Sequence, residues 1–410
     1  MAEATYYRKG FGLKAAIEGQ LASDYHSRLI EVIRSRGYSL RAGPLTFRLA
    51  REFGFCYGVD RAVEYAYEAR AKFPDRRIFL AGEIIHNPHV NAKLEAMGIG
   101  FLERGSGAEG QGGRGFNFGG VTAEDVVILP AFGVTIHDFE ALRGTGCIMV
   151  DTTCGSVLNV WKRVESYARD GFTAIIHGKH WHEETKATAS QVLKHPGGRY
   201  LVVLNMEEAR LVCEWIERGE EGELAARFAT AMSPGFDFHT DLERVGLANQ
   251  TTMLSSESLA IAEEVRRSMV RRWGEAADQH VRSFDTICSA TQERQDAVLQ
   301  LLADPPPPDV MMVVGGYNSS NTAHLAQLGT SRGVRTYHLE DASCVEVETG
   351  ALRHRPIGGT EEIAEREWLT GVSTIGITAG ASTPNNKIGE TIVRVSAIAG
   401  CSDELQAAVL

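Results

Sequence analysis

Three times along this chain a cysteine stands between a strand-like run and a helical one, and this repetition limits the possible folds more than any other feature. The words are FGFC at 53–56, DTTC at 151–154 and DTIC at 285–288. Before them come LTFRLA, GCIMV and the weaker HVRSF. After them come apolar residues at helical spacing: Val59, Val63 and Ala66; Val157, Val160, Trp161 and Val164; and, more loosely, Ala290, Ala297, Val298 and Leu301. Each helix leads into a buried-strand signal, RRIFLAGEI, FTAIIHGK or DVMMVVGG. Each of these strands empties into a polar loop: HNPH at 86–89, HWHEET at 180–185 and NSSN at 318–321. His86, His182 and Ser319 lie 30, 28 and 31 residues after their cysteines. A further helix and strand follow each time, and then a strand that exits into a small-residue loop, VVILPAFG, VGLANQTTM or STIGITAGAST.

Strands alternating with helices imply parallel sheets built from βαβ units. The expected fold is therefore α/β, with three repeated small α/β domains, mostly parallel sheets, and a pseudo-threefold axis. The expected boundaries are an N-terminal extension at 1–44, domains at 45–149, 150–283 and 284–386, and a C-terminal tail at 387–410. The extension contains an amphipathic helical stretch near Tyr25–Arg36. Residues 105–120 hold eight glycines in sixteen positions and read as a flexible loop. They follow no βα turn, so they make a poor nucleotide fingerprint.

Composition removes several functional classes. A net charge of −11 argues against a nucleic-acid surface. No apolar run approaches the roughly 18 residues of a membrane span. The start, MAEATYYRKGFG, has no apolar signal core, so a cytoplasmic location is expected. Seven cysteines, odd in number and without a CxxC pair, are neither a secreted disulfide framework nor a zinc finger.

The repeated loops also carry the chemistry. Strand-end loops of such sheets are where ligands bind, and equivalent loops from three repeats would meet near a common axis. A lone cysteine is most often a buried small residue. Recurrence of Cys56, Cys154 and Cys288 before a helix, where the positive N-terminus favours thiolate, argues for ligands instead. Three thiolates suit zinc or an iron–sulfur cluster. A four-iron cluster held by three cysteines leaves one iron open as a Lewis acid. Cys147, Cys213, Cys344 and Cys401 lack this setting and read as structural. His86, His182, Ser319, Ser320 and Asn321, with Thr251, Ser382 and Thr383 from the second loop set, make a mostly neutral anion site for phosphate or diphosphate. Any one of these hydroxyls or amides alone reads as an N-cap. His89, His177, His180 and His324 lie near the same loops and are not ranked against His86 and His182 by sequence. Glu183 and Glu184 are each either a proton donor or an exposed first-turn acid.

The words GFCYGVDRAV, EIIHNPHV, VDTTCGSV, HWHEETKAT, NQTTM, DTICSATQERQ, GGYNSSNTAHL and TAGASTPNNKI, in this order from about residue 45 to 390, resemble one family. It is that of the LytB-type 4-hydroxy-3-methylbut-2-enyl diphosphate reductases, iron–sulfur enzymes that end the methylerythritol phosphate route to isoprenoids. The resemblance implies a [4Fe–4S] cluster on Cys56, Cys154 and Cys288, at the centre of the three repeats. It also implies a diphosphate held by His86, His182, Ser319, Ser320, Asn321 and Ser382. Glu184 then delivers the proton, with Thr251 beside it on the relay, and a reduced ferredoxin or flavodoxin is the implied electron donor. YYRKGFG and PAFG resemble the plant and cyanobacterial branch. Two departures stand out: Phe132 replaces a histidine of the commonest bacterial form, and Gly155 replaces the usual proline. No flavin or nicotinamide motif is visible. An iron–sulfur sensor or electron carrier without turnover would explain the cysteines but not three phosphate-binding loops, and a structural zinc site is a further alternative.

Overall fold

A computed structural model describes residues 5–105, 115–219, 224–283 and 286–409. Most of the glycine-rich loop, 106–114, lies outside the described residues. The chain forms two compact, interleaved units, one of Met1–Phe11, Ala69–Ile84 and Leu94–Cys288, the other of Gly12–Glu68, Ile85–Lys93 and Ser289–Leu410.

Within the first unit are two parallel sheets. One runs in the order Tyr6–Tyr7, Ile148–Asp151, Val126–Leu129, Ile78–Leu80, Ile99–Phe101. The other runs Val281–Ser283, Val245–Asn249, Thr173–His177, Tyr200–Val203. The second unit holds Arg335–Leu339, Val310–Val314, Thr374–Ala379 and Leu45–Leu49 in parallel, with Ser39–Ala42 antiparallel on the edge. A small antiparallel pair, Leu352–His354 with Ile363–Glu365, accompanies it. Runs such as VVIL at 126–129 and VMMVV at 310–314 are buried at every position, as parallel strands covered on both faces require.

The fold is α/β with mostly parallel sheets, as expected. All three larger sheets share one order. The strand after the cysteine helix lies second, its successor lies outside it, the small-loop strand lies on its other side, and the strand leading to a cysteine comes next. Each cysteine-bearing strand thus belongs to the sheet of the preceding repeat. Leu45–Leu49 pairs with Thr374–Ala379, not with the strands at 78–129 with which a 45–149 segment would group it. Likewise Ile148–Asp151 stays wholly in the first sheet, so sheet membership does not change at residue 150.

The segments outside the repeats are built into the sheets. Tyr6–Tyr7 and Ser39–Ala42 are edge strands. The amphipathic stretch becomes the helix Arg28–Ser35, capped by Ser27 Oγ accepting from Ile30 N at 3.4 Å, and it buries Leu29, Ile30 and Ile33. The C-terminal helices Asn385–Ile398 and Ser402–Val409 bury Ile388, Ile392, Val395 and Leu405 in the same core. Among the described residues no helix is long and apolar enough to cross a membrane.

Packing is tight where strand and helix meet. A Cβ at Gly246 would fall 2.5 Å from the ring of Tyr167, a buried residue whose hydroxyl donates to Leu247 O at 2.8 Å. Gly246→Ala is therefore expected to lower stability by about 1–3 kcal/mol through overpacking. Urea denaturation checks this, and an unchanged midpoint would mean that the ring yields without strain.

Candidate active site

The three repeated cysteines occupy one kind of local structure. Cys154 is the N-cap of the helix Gly155–Arg169, with φ −63° and ψ 144°. Its carbonyl accepts from Leu158 N at 3.0 Å, and its N–H donates to Ala131 O at 2.8 Å. Around Cys56 the pattern recurs: the carbonyl accepts from Asp60 N at 2.9 Å, and the N–H donates to Ala381 O at 3.2 Å. Ala131 and Ala381 occupy the same strand-exit loop of two different repeats. Cys288 directly precedes the helix Ser289–Ala303. All three are half-buried, whereas the other four cysteines are buried. Burial pushes the thiols of Cys147, Cys344 and Cys401 up, and that of Cys213 up to about 12. These four are held as neutral thiols, while Cys56, Cys154 and Cys288 each stand at the start of a helix.

Gly155 is the first residue of its helix, and a Cβ there would meet nothing within 4 Å. First helical positions also accept proline, so the glycine leaves the local geometry intact.

In the first unit the HWHEET loop caps the helix Glu183–Val192. Glu184 N donates to His182 Nδ1 at 3.1 Å, so the neutral ring carries its proton on Nε2. Phe132 packs edge-on against this ring, with centroids 6.3 Å apart at 70°. Glu184 is buried, and its Oε1 accepts from Thr251 N at 2.6 Å. Glu183 is instead engaged by Arg104 Nη2 at 2.5 Å. Residue pattern alone left these two acids equivalent and the family resemblance pointed to Glu184; the two differ in their contacts. Gln250 ties the loops together, its Oε1 accepting from Lys179 N and Thr185 Oγ1, each at 3.1 Å.

The second unit gathers His86 with the NSSN and TAGAS loops. Ser319 caps the helix Ser320–Ser331, its Oγ accepting from Thr322 N at 3.4 Å. Ser382 Oγ donates to His86 O at 3.2 Å and lies 3.5 Å from Ser319 Oγ. Asn321 Oδ1 accepts from Ala381 N at 2.9 Å, which fixes its amide orientation. Asn321 Nδ2 and Ser320 Oγ, on residues each only 2% exposed, then have no hydrogen-bond partner among the described residues. Such orphans cost about 1–3 kcal/mol each unless something supplies a partner. The close approach of the loops depends on Gly380, where a Cβ would fall 2.0 Å from Thr322 Oγ1.

The other histidines take different places. His177 Nδ1 lies 2.8 Å from Ser258 Oγ, and His180 Nε2 lies 3.3 Å from Thr230 Oγ1. His89 packs edge-on against Tyr25, and burial lowers its pKa. Asp151 begins the DTTC word at 151–154. It is buried, and its Oδ1 accepts from Thr153 N at 2.9 Å and from Thr153 Oγ1 at 2.5 Å, while Oδ2 accepts from Tyr6 OH at 2.5 Å. The recurrence of aspartate three residues before Cys154 and Cys288 was the available signal.

A family model described as LytB protein matches residues 47–396. The chain belongs to the LytB family. The 4-hydroxy-3-methylbut-2-enyl diphosphate reductase of Gloeobacter violaceus is 47% identical over 98% of this chain and 95% of its own length. That of Thermosynechococcus vestitus is 46% identical over 96% of this chain and 94% of its own. A solved structure of (E)-4-hydroxy-3-methyl-but-2-enyl diphosphate reductase, described as the terminal enzyme of the non-mevalonate pathway, is similar at 27% identity and a TM-score of 0.50. It covers 85% of this chain and 98% of that one. The reductase structure from Plasmodium falciparum, at 21% identity and TM-score 0.63, covers 85% of this chain and 87% of its own and shares the fold. The LytB-family chain is thus an oxidoreductase related over nearly its whole length to enzymes of one activity.

Proposed function

We propose that this LytB-family protein removes the allylic hydroxyl of (E)-4-hydroxy-3-methylbut-2-enyl diphosphate, using two electrons and two protons. The products are isopentenyl diphosphate, dimethylallyl diphosphate and water. The observation that carries this reading is 47% identity to a named reductase across 98% of the chain. The donor chemistry agrees with it. Cys56, Cys154 and Cys288 are the half-buried thiols at helix starts suited to hold a [4Fe–4S] cluster, and the remaining thiols are buried, with burial raising their pKa. Bound there, such a cluster supplies single electrons and an iron without a cysteine ligand that can act as a Lewis acid.

The chain's own residues then bind, orient and protonate. His86, His182, Ser319, Ser320, Asn321 and Ser382 hold the diphosphate. His182 presents Nε2–H because Nδ1 is already occupied by Glu184 N. The orphaned Ser320 Oγ and Asn321 Nδ2 find in phosphate oxygens the partners they otherwise lack. Holding the diphosphate fixes the allyl end by remote binding energy. Glu184, with Oε1 held by Thr251 N, carries the transferable proton on its other oxygen. A reduced ferredoxin or flavodoxin supplies the electrons, and the reaction takes place in the cytoplasm.

Anaerobically purified protein, given a strong reductant and the allylic diphosphate, should release both isomeric products. A cluster-loaded protein that releases neither would leave the sensor or carrier reading in its place, and a colourless zinc protein would sink both.

Replacing His86, His182, Ser319 or Asn321 by alanine is expected to weaken binding by about 1–3 kcal/mol for each lost charge-assisted contact. Competition by inorganic diphosphate should weaken in parallel. Unchanged affinity in all four variants would place the anion elsewhere.

A further inference from the structure

Arg294 lies on the helix Ser289–Ala303, six residues after Cys288, and is only 3% exposed. Helical side chains lean toward the N-terminus, and this one folds back over the first turn, Nη1 donating to Ala290 O at 2.7 Å. The rest of the guanidinium grips the loop that ends in Cys56. Nε and Nη2 donate to Gly54 O at 3.2 and 2.7 Å, and Nη2 also donates to Phe55 O at 3.2 Å. Among the described residues it has carbonyl partners and no carboxylate. A buried cation without a counter-charge is costly, and removing its desolvation by deletion would be the simpler solution in a purely structural loop.

The loop itself has little freedom. Gly54 has φ +74°, and a Cβ there would meet Asn385 Oδ1 at 2.8 Å and Thr383 O at 3.1 Å. Gly54 N donates to Ala379 O at 3.3 Å and Cys56 N to Ala381 O at 3.2 Å. The N–H groups of the loop are therefore tied to the strand-exit loop at 379–381, and its carbonyls are tied to Arg294. That leaves the Cys56 side chain aimed by backbone held from both sides.

We propose that Arg294 is a positioning residue of the redox centre: it fixes the backbone that aims Cys56, and its positive charge raises the reduction potential of the group that Cys56 helps to hold. This rests on the iron–sulfur reading given above. A cation near an anionic iron–sulfur–thiolate assembly favours the reduced state, because reduction adds negative charge in a low-dielectric setting.

The test uses the full-length, cluster-loaded protein and compares iron per chain and midpoint potential in wild type, Arg294→Gln and Arg294→Lys. Glutamine keeps a donor but no charge. At the wild-type midpoint its reduced-to-oxidised ratio should fall about tenfold, which is 59 mV for a one-electron couple. A glutamine variant with full iron and the wild-type potential overturns the proposal. If that variant cannot hold iron, Arg294→Lys decides, since it keeps the charge while losing the planar fork. It should hold iron with a redox ratio within about threefold of wild type; a tenfold shift, or no iron, overturns the proposal. Absence of an iron–sulfur spectrum from the wild type would be a different result, removing the cluster reading itself.

Discussion

Cys56→Ser, Cys154→Ser and Cys288→Ser are each expected to lose most of the bound iron and all measurable turnover. Each removes one of only three protein thiolates, and serine, a neutral hydroxyl at this pH, is a poor substitute at a soft metal. The local geometry explains why these three should behave alike. Cys154 and Cys56 each donate an N–H to the strand-exit loop and accept from the first helical turn. Neither bond uses the sulfur, so a serine variant keeps its backbone and loses only the ligand. Substitution of Cys147, Cys213, Cys344 or Cys401 should leave iron nearly intact, because burial holds their thiols protonated, Cys213 up to about 12. Alanine at these four sites costs packing instead. Iron and visible absorption per folded chain, measured under anaerobic conditions, distinguish the sets. Full iron in the first set and loss in the second would reverse the ligand assignment.

Glu184→Gln should lower turnover by about 10²-fold or more while cluster content and substrate affinity change little. The side chain keeps its shape, and its amide oxygen can still accept from Thr251 N, which now bonds Oε1 at 2.6 Å. What disappears is the acidic proton. Glu183→Gln is the control, because that carboxylate is engaged by Arg104 rather than by Thr251. It should cost at most the value of a partly exposed ion pair, about 0–1 kcal/mol of stability, with turnover near wild type. Steady-state kinetics on both variants checks this. Comparable loss in the control, or wild-type turnover in Glu184→Gln, would move the proton source to bound water or to the substrate's own diphosphate.

Much of this was legible in the linear sequence because the signals are local. A cysteine before a helix, a polar word about 30 residues later, and an all-apolar strand such as VMMVV are features of a few consecutive residues. They declare βα units wherever they occur. Ser319 as an N-cap follows from the same short-range rules, whereas the cap by His182 does not. Local pattern alone did not rank Glu183 against Glu184, and only the family resemblance singled out Glu184, because adjacent residues in a first helical turn differ only in which neighbours they meet. Those neighbours, Arg104 and Thr251, lie 79 and 67 residues away.

By itself, then, the sequence determined the repeat: α/β units with mostly parallel sheets, and a cysteine before a helix in each repeat. Only tertiary structure decided how the repeats share strands. Leu45–Leu49 looks like the opening strand of the first repeat, yet it hydrogen-bonds beside Thr374–Ala379, more than 300 residues away. Strand propensity says that a segment will pair and leaves open with which edge, since every parallel edge offers the same backbone donors and acceptors. The same holds for Phe132 against His182 and for Arg294 on the Gly54 carbonyl. Aromatic packing and hydrogen bonding are satisfied by proximity in space, and a residue's type alone does not record which distant partner folding brings to it.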